Sequence, residues 1–409
     1  MSTDHPTRDT DRFTLENLFF SRTDARGVIQ AANSVFVHVS GHAWSALNGA
    51  PHKIVRHPDM PSGVFHLMWE EIAAGRSIGS YVKNLATDHT HYWVFAVVLP
   101  LEDGYLSMRL KPSSALFEKV RPLYAALRAE ELSGRLNPEQ SHAALLDKLK
   151  ELGFTSYASF MSIALAQELE ARSDTLRRRF DPALQAMGGL SEAVKDMGIY
   201  GDKVDQIFHS TALIPNNLSI QARSLEGANG PISVISNNHQ VMAHSLGNIL
   251  TRFRNAVREG ATHTGMARFN AGARVLIQEV VDQFRSNAAV NGVDVSVEAD
   301  RLSALRADCM QREHISVVKV MEAASVYRGM STDMRRVMSG LEMSRVMCKI
   351  EQSKYASNVD GLNEIVERLH RAERQLSQVI NDIESSVFVI EDRTSRLMPG
   401  RAGYAGRAA

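Results

Sequence analysis

Within eleven residues, Pro51-His52-Lys53-Ile54-Val55-Arg56-His57-Pro58-Asp59-Met60-Pro61 gathers two imidazoles, two cations, a carboxylate and three prolines. The prolines fix φ and remove backbone donors, so the run suits neither helix nor strand and predicts a rigid polar loop. Such a loop can line a ligand pocket, and Trp69 follows eight residues later with an aromatic face. His57, between Arg56 and Pro58, also fits a plain structural role in which its ring braces the loop through hydrogen bonds.

Elements must hold that loop in place, and residues 15–113 supply them. All three tryptophans (Trp44, Trp69 and Trp93) fall in this stretch. β-like runs occur at 27–31, 80–84, 92–98 and 105–110, with helical pieces at 33–38 and 62–74 between the first and second. A strand, then helices, then a meander of strands predicts a small α+β domain with an antiparallel sheet and flanking helices. Residues 1–14 are expected to form a flexible N-terminus.

Beyond residue 113 the β pattern nearly vanishes. Leu169, Leu176, Ala183, Leu190, Met197 and Val204 repeat every seven residues, with Phe180, Met187, Val194 and Phe208 at partner positions. A cleaner seam runs through Leu362, Leu369, Leu376, Ile383, Ile390 and Leu397, with Ile365, Ala372 and Val379 beside it. A lone helix would leave such a stripe in water, so each seam needs self-association or an antiparallel partner within the chain; a homodimer is the expectation. Asn137-Pro138 and Asp181-Pro182 read as caps followed by first-turn prolines, although the second also fits a kink. Glu226-Gly227-Ala228-Asn229-Gly230-Pro231 reads as the turn of a helical hairpin. The expected segments are connecting helices at 114–153, a hairpin at 154–300 turning near 226–231, a long all-α C-terminal region with a coiled coil at 301–398, and a disordered tail at 399–409.

Composition narrows the function classes. The chain of 409 residues carries 46 Lys plus Arg against 46 Asp plus Glu, so no global field attracts nucleic acid, which is not an expected partner. The two cysteines, Cys309 and Cys348, lack neighbours at metal-ligand spacing, which predicts free thiols in a reducing compartment and argues against structural zinc. The N-terminus has no apolar signal core, and no run approaches the roughly eighteen apolar residues that would span a bilayer. The expectation is a cytoplasmic protein without membrane insertion. No Gly-rich phosphate loop or kinase ATP box appears, so no enzymatic activity is expected.

The succession Ser21-Arg22-Thr23-Asp24, Gly27-Val28-Ile29, Ala32-Asn33, Phe36-Val37-His38-Val39-Ser40-Gly41, Val55 to Pro61, Met68-Trp69, Val82-Lys83-Asn84 and Tyr92-Trp93-Val94 closely resembles the PAS domain of bacterial aerotaxis receptors. The resemblance implies a non-covalently held FAD and the sensing of redox or energy state. It places Asn33, Arg56, His57, Asp59, Trp69, Asn84, Tyr92 and Trp93 at or near the cofactor. Trp69 and Trp93 fit plain core positions equally well. The family's aromatic before Val82 is replaced by Ser77-Ile78-Gly79-Ser80, and its basic cluster after Asn84 by Leu85-Ala86-Thr87-Asp88. These departures remove donors that a dinucleotide's phosphates use, so haem, another ligand or no cofactor stay open.

Residues 213–222, followed by Glu226-Gly227 and Ile232 to Ile235, look like a diverged chemoreceptor signalling tip. In that family the tip binds the chemotaxis histidine kinase and its coupling protein. The resemblance carries partner binding onto Asn217, Ile220, Gln221, Glu226 and Gly227. Ala243 to Asn248 resembles the phosphoacceptor helix of phosphotransfer proteins, although an exposed His244 with no role explains it more simply. The sequence therefore predicts an aerotaxis-like sensor relaying through a dimeric helical bundle, with a cofactor-free PAS and coiled-coil scaffold as the alternative.

Overall fold

A computed structural model describes residues 8–211, 214–225, 230–285, 290–291, 294–354 and 360–398. The chain divides into two compact units: residues 1–185 with 265–315, and residues 186–264 with 316–409. These cuts differ from the sequence segments, because residues 114–185 and 265–315 share a unit with the sheet.

The first unit is built on a sheet of β1 (Leu18–Asp24), β2 (Ile29–Asn33), β3 (Ile78–Leu85), β4 (His91–Leu101) and β5 (Gly104–Leu110), with a short β6 (Val290–Asn291) at one edge. The order is β3-β4-β5-β1-β2-β6 and every pairing is antiparallel. Helices α1 (Ser34–Ser40), α2 (Trp44–Leu47) and α3 (Ser62–Ala73) lie between β2 and β3 in the chain. The sequence therefore predicts an α+β domain followed by long helices, and this is the architecture observed. The strand absent from the sequence reading is β1, whose residues Leu18 to Ser21 are all buried. A strand covered on both faces loses the polar alternation that advertises a strand.

Side chains directly opposite across paired strands share a face. The register Asn84↔Tyr92, Ala96↔Arg109, Arg109↔Phe19 and Ser107↔Ser21 sets these residues on one face, the inner one. There α1 contributes Phe36, stacked on Phe19 with centroids 5.3 Å apart, and α3 contributes Trp69, edge-on to Tyr105. Residues 8–14 also belong here: Thr10 N–H donates to the His91 carbonyl, and buried Phe13 meets Phe19 and Tyr92 edge-on. The expected flexible terminus thus includes an anchored stretch, because Phe13 gains an aromatic socket.

The outer face packs on α4 (Ala115–Leu132), α6 (Tyr157–Thr175) and the C-terminal part of α9 (Pro231–Arg285). Tyr81 meets Phe117 and Phe160, Phe20 meets Phe284 edge-on, and Gly79 leaves room for the Phe269 ring. Glu168 of α6 is buried and accepts from Tyr81 Oη (2.7 Å), Ser114 Oγ (2.6 Å) and the Ser113 and Ser114 N–H groups (2.6 and 3.0 Å). It joins a sheet side chain to the N-terminus of α4 through one carboxylate. Arg172 grips Glu279 with two 2.6 Å bonds, tying α6 to α9. The α5 helix (Pro138–Glu151) packs on α3 and opens with the Asn137 capping box that Asn137-Pro138 predicts.

The second unit draws on α7 (Pro182–Thr211), α8 (Ile214–Leu225), α9, α10 (Val295–Gln352) and α11 (Asp360–Leu397). Asp181 accepts from Ala183 and Leu184 N–H, so Asp181-Pro182 is a helix start. Leu190, Val194, Met197 and Val204 of α7 and Leu376, Val379, Ile383 and Ile390 of α11 form one core with Leu250 and Phe253 of α9 and Val320 and Tyr327 of α10. The first seam from Leu190 to Val204 and the second from Leu376 to Ile390 are thus buried by helices of the same chain, so these stretches do not themselves call for a second copy. A smaller core joins Ile214, Leu218 and Ala222 of α8 to Ile232, Cys348, Leu362 and Leu369. Among the described residues no helix is long and apolar enough to cross a membrane. Cys309 and Cys348 are both buried and neither is in a disulfide, in line with the expected thiols. The hairpin residues 226–229 and the tail from 399 lie outside the described residues.

Candidate ligand site in the sheet domain

The inner face is apolar except for a compact polar set. Arg109, 6% exposed, donates from Nη1 to Ser21 Oγ (2.9 Å) and from Nη2 to His52 Nε2 (2.8 Å). No carboxylate lies within ion-pair distance of it among the described residues. Burial draws its guanidinium down from the usual range to about 10. Because Arg109 can only donate, His52 Nε2 must accept, which puts the ring proton on Nδ1. Burial, then the Arg109 charge, hold His52 well below the usual imidazole range, so the ring is neutral.

His52 lies parallel to Phe36 at 5.6 Å, and Phe36 lies parallel to Phe19, with interplanar angles of 2° and 4°. The three rings form a stack beside the guanidinium, which is 5.5 Å from the Phe19 centroid. Three further polar atoms, Asn84 Nδ2, Tyr92 Oη and Ser107 Oγ, are buried with no hydrogen-bond partner among the described residues. Each such group costs roughly 1–3 kcal/mol if nothing satisfies it. Burial raises the Tyr92 phenol above its ordinary value, which keeps it a protonated donor.

Asn84 and Tyr92, expected from the sequence at the cofactor, share this face and supply two of its unsatisfied atoms. The other expected residues are placed differently. Asn33 is saturated: its Oδ1 caps α1 through Phe36 N–H and accepts from Phe20 N–H, while Nδ2 donates to the Leu18 carbonyl. Arg56 bridges to Asn84 through the backbone, and its guanidinium lies 3.8 Å from the Phe65 centroid. His57 is fully buried, donates its N–H to the Lys83 carbonyl, and accepts at Nδ1 from Asp59 N–H (3.1 Å). Asp59 is half-exposed and pairs with Lys83 Nζ at 2.8 Å. Arg56, His57 and Asp59 thus brace the loop along the edge of β3. Trp69, 45% exposed, lies over Gly27, where a Cβ would come within 2.8 Å of its ring and where φ is +75°. Trp93 faces the other way, edge-on to Phe117 of α4.

Sequence reading missed Arg109, His52 and Phe36 as members of the site. An arginine in Leu106-Ser107-Met108-Arg109-Leu110 reads as the solvent side of an alternating strand. The alternation is misleading because β5 is a central strand whose residues Leu106 to Leu110 are all buried, so both of its faces are covered.

In the helical unit, Asn217 and Gln221 are half-buried on α8 and Ile220 is 64% exposed. Glu226 and Gly227 lie outside the described residues. His244 is exposed on α9.

No family model matches the chain. It is 38% identical over 127 residues to the aerotaxis receptor of Escherichia coli (strain K12), a match covering 30% of this chain and 25% of that receptor. The chain therefore spans about a quarter of the length of that curated relative. That identity and an antiparallel sheet domain followed by long helices are consistent with an aerotaxis-receptor-type PAS domain joined to a signalling region.

Proposed function

We propose that this chain is a cytoplasmic redox or energy sensor of the aerotaxis kind, whose PAS interior takes FAD and whose helices relay the result without catalysis. The observation that carries the reading is the inner-face donor set: a buried cation that has no counter-ion among the described residues, beside three polar groups unsatisfied among them and a parallel ring stack. Flavin recognition needs an apolar slot with donors for a carbonyl- and nitrogen-rich edge, and these residues fit it. Phe19, Phe36 and His52 would flank the ring, while Arg109, Asn84, Tyr92 and Ser107 would donate to its polar edge. When bound, the flavin supplies reversible electron uptake that follows the surrounding redox poise.

Arg109 answers a more negative ligand edge by turning its donors toward it and away from Ser21 and His52. That change pulls on β1 through Ser21 and on the polar loop through His52. The sheet hands it to α6 through Tyr81 and Glu168 and to α9 through Phe20 and Phe284. The chain then leads through α7, α9 and α10 into the bundle. Asn217, Ile220, Gln221, Glu226 and Gly227 are the proposed contact for the chemotaxis histidine kinase and its coupling protein. Met343, Val346, Met347 and Ile350 are exposed on α10 at spacings of three, four and seven residues, and this stripe supports a homodimer in solution.

An absorption spectrum of the purified full chain, with and without added FAD, tests the reading. Flavin bands that disappear in Arg109→Met are expected. A Soret band would point to haem instead, and neither chromophore would leave the cofactor-free scaffold.

A further inference from the structure

A second cluster lies outside the PAS interior, on the surface where α3 packs on α5. His66 and Glu70, four residues apart, share one face of α3. His142 reaches them from α5. One ligand atom from each of the three lies within 4.8 Å of the others, with Glu70 Oε2 3.6 Å from His142 Nδ1. The two imidazole rings are 5.6 Å apart at 44°.

We propose that His66, Glu70 and His142 form a binding site for a divalent transition metal of the zinc class. Two imidazoles and one carboxylate are a set that zinc accepts with a fourth position open, whereas magnesium and calcium prefer oxygen donors. Ligands about 2.1 Å from a tetrahedral ion sit roughly 3.4 Å apart. The Glu70–His142 separation is already close to that, and His66, exposed on a rotatable side chain, closes the remainder.

The backbones beneath are fixed before any ion arrives. A Cβ on Gly63 would come within 2.5 Å of His142 N, so the two helices touch at main-chain level there. Glu131 of α4 accepts from Ser62 and Gly63 N–H at 2.9 and 3.1 Å, which anchors the start of α3. Pre-positioned ligands lower the ordering cost of binding. The ion would staple α3 to α5, and α3 carries Trp69 beside the inner face. Occupancy would thus stiffen one wall of the sensor domain. The open fourth position faces solvent, since His66 and Glu70 are both exposed.

The test is a Zn²⁺ titration by calorimetry and a Co²⁺ titration by visible absorption, on the untagged full chain. One saturable site with tetrahedral cobalt bands is expected. His66→Ala and Glu70→Gln, both at exposed positions, should each weaken binding at least tenfold, roughly the scale at which even outer-shell losses are felt. Zn²⁺ should raise the unfolding midpoint of the wild-type sheet unit, read by tryptophan fluorescence, and leave that of His66→Ala unmoved. No saturable binding to the wild-type chain, or unchanged affinity in both variants, overturns the proposal.

Discussion

Replacing Arg109 by Met separates a ligand-binding arginine from a structural one. Met matches the length of the aliphatic stem and removes the charge while leaving little void. Burial draws the guanidinium from 12.5 to about 10. At about 1.4 kcal/mol per pH unit, this is a charge-burial cost of roughly 3 kcal/mol. Arginine's folded value is the depressed one, so that cost is present in full at every pH below about 10. Against its relief stands the loss of the bonds to Ser21 and His52, about 1 kcal/mol each. The unliganded variant should therefore range from equally stable to about 1–2 kcal/mol more stable, while losing flavin. All three tryptophans lie in the first unit, so denaturation followed by tryptophan fluorescence reports on the sheet unit without interference from the bundle. A structural keystone behaves oppositely: removing one partner of a buried charge network costs about 3–5 kcal/mol. A loss of that size in the unliganded protein, or undiminished flavin binding, refutes the reasoning.

Two other perturbations test the scaffold outside this site, one in each unit. His239, 2% exposed in α9 with both ring nitrogens unpartnered among the described residues, is held down to about 4 by burial. An unfolded chain binds its proton near 6.5, so bundle stability should be complete above that pH and fall by roughly 3 kcal/mol as pH drops to about 4. Far-UV circular dichroism of wild type against His239→Leu should show that acid sensitivity in the first and a flatter profile in the second. Glu168→Gln sets an amide donor against four donors, so it should cost about 1–3 kcal/mol in the sheet unit, read by tryptophan fluorescence.

The sequence shows its periodic and punctuated parts most openly. The β3, β4 and β5 runs, the Asn137 and Asp181 caps and the two seven-residue seams are each local patterns with a local physical cause. What it hides depends on distant neighbours. Leu18 to Asp24 looks featureless because β1 is covered on both faces. Arg109 looks like a surface residue because what covers its face, Phe36 of α1 and His52 of the loop, comes from distant parts of the sequence. The seams announce that a partner helix exists, yet heptad spacing is indifferent to whether that helix comes from the same chain. The loop from Pro51 to Pro61 is the reverse case. Its composition marks it as special, but the Arg56 backbone, His57 and Asp59 hold the loop against β3 while the Arg56 guanidinium lies on Phe65, and His52, at the loop's start, is the residue that reaches the polar centre.

This division of labour bears on how the proposed sensing in the sheet domain would be read out. The inner face holds the donors and the outer face is packed without polar slack: Tyr81, Phe95, Phe117 and Phe160 are buried ring against ring, with Glu168 saturated among them. Strand side chains alternate between the two faces, so a shift of Arg109 moves Met108 and Leu110 oppositely placed on the same strand. Close-packed interiors transmit such displacements because they have no compliant layer to absorb them. Glu168 is the stiffest of these links, since one carboxylate binds a sheet hydroxyl and two backbone N–H groups that begin α4. If the proposed function holds, a ligand-driven change on the inner face would reach α4 and α6 as a change in helix position, without any side chain crossing the sheet.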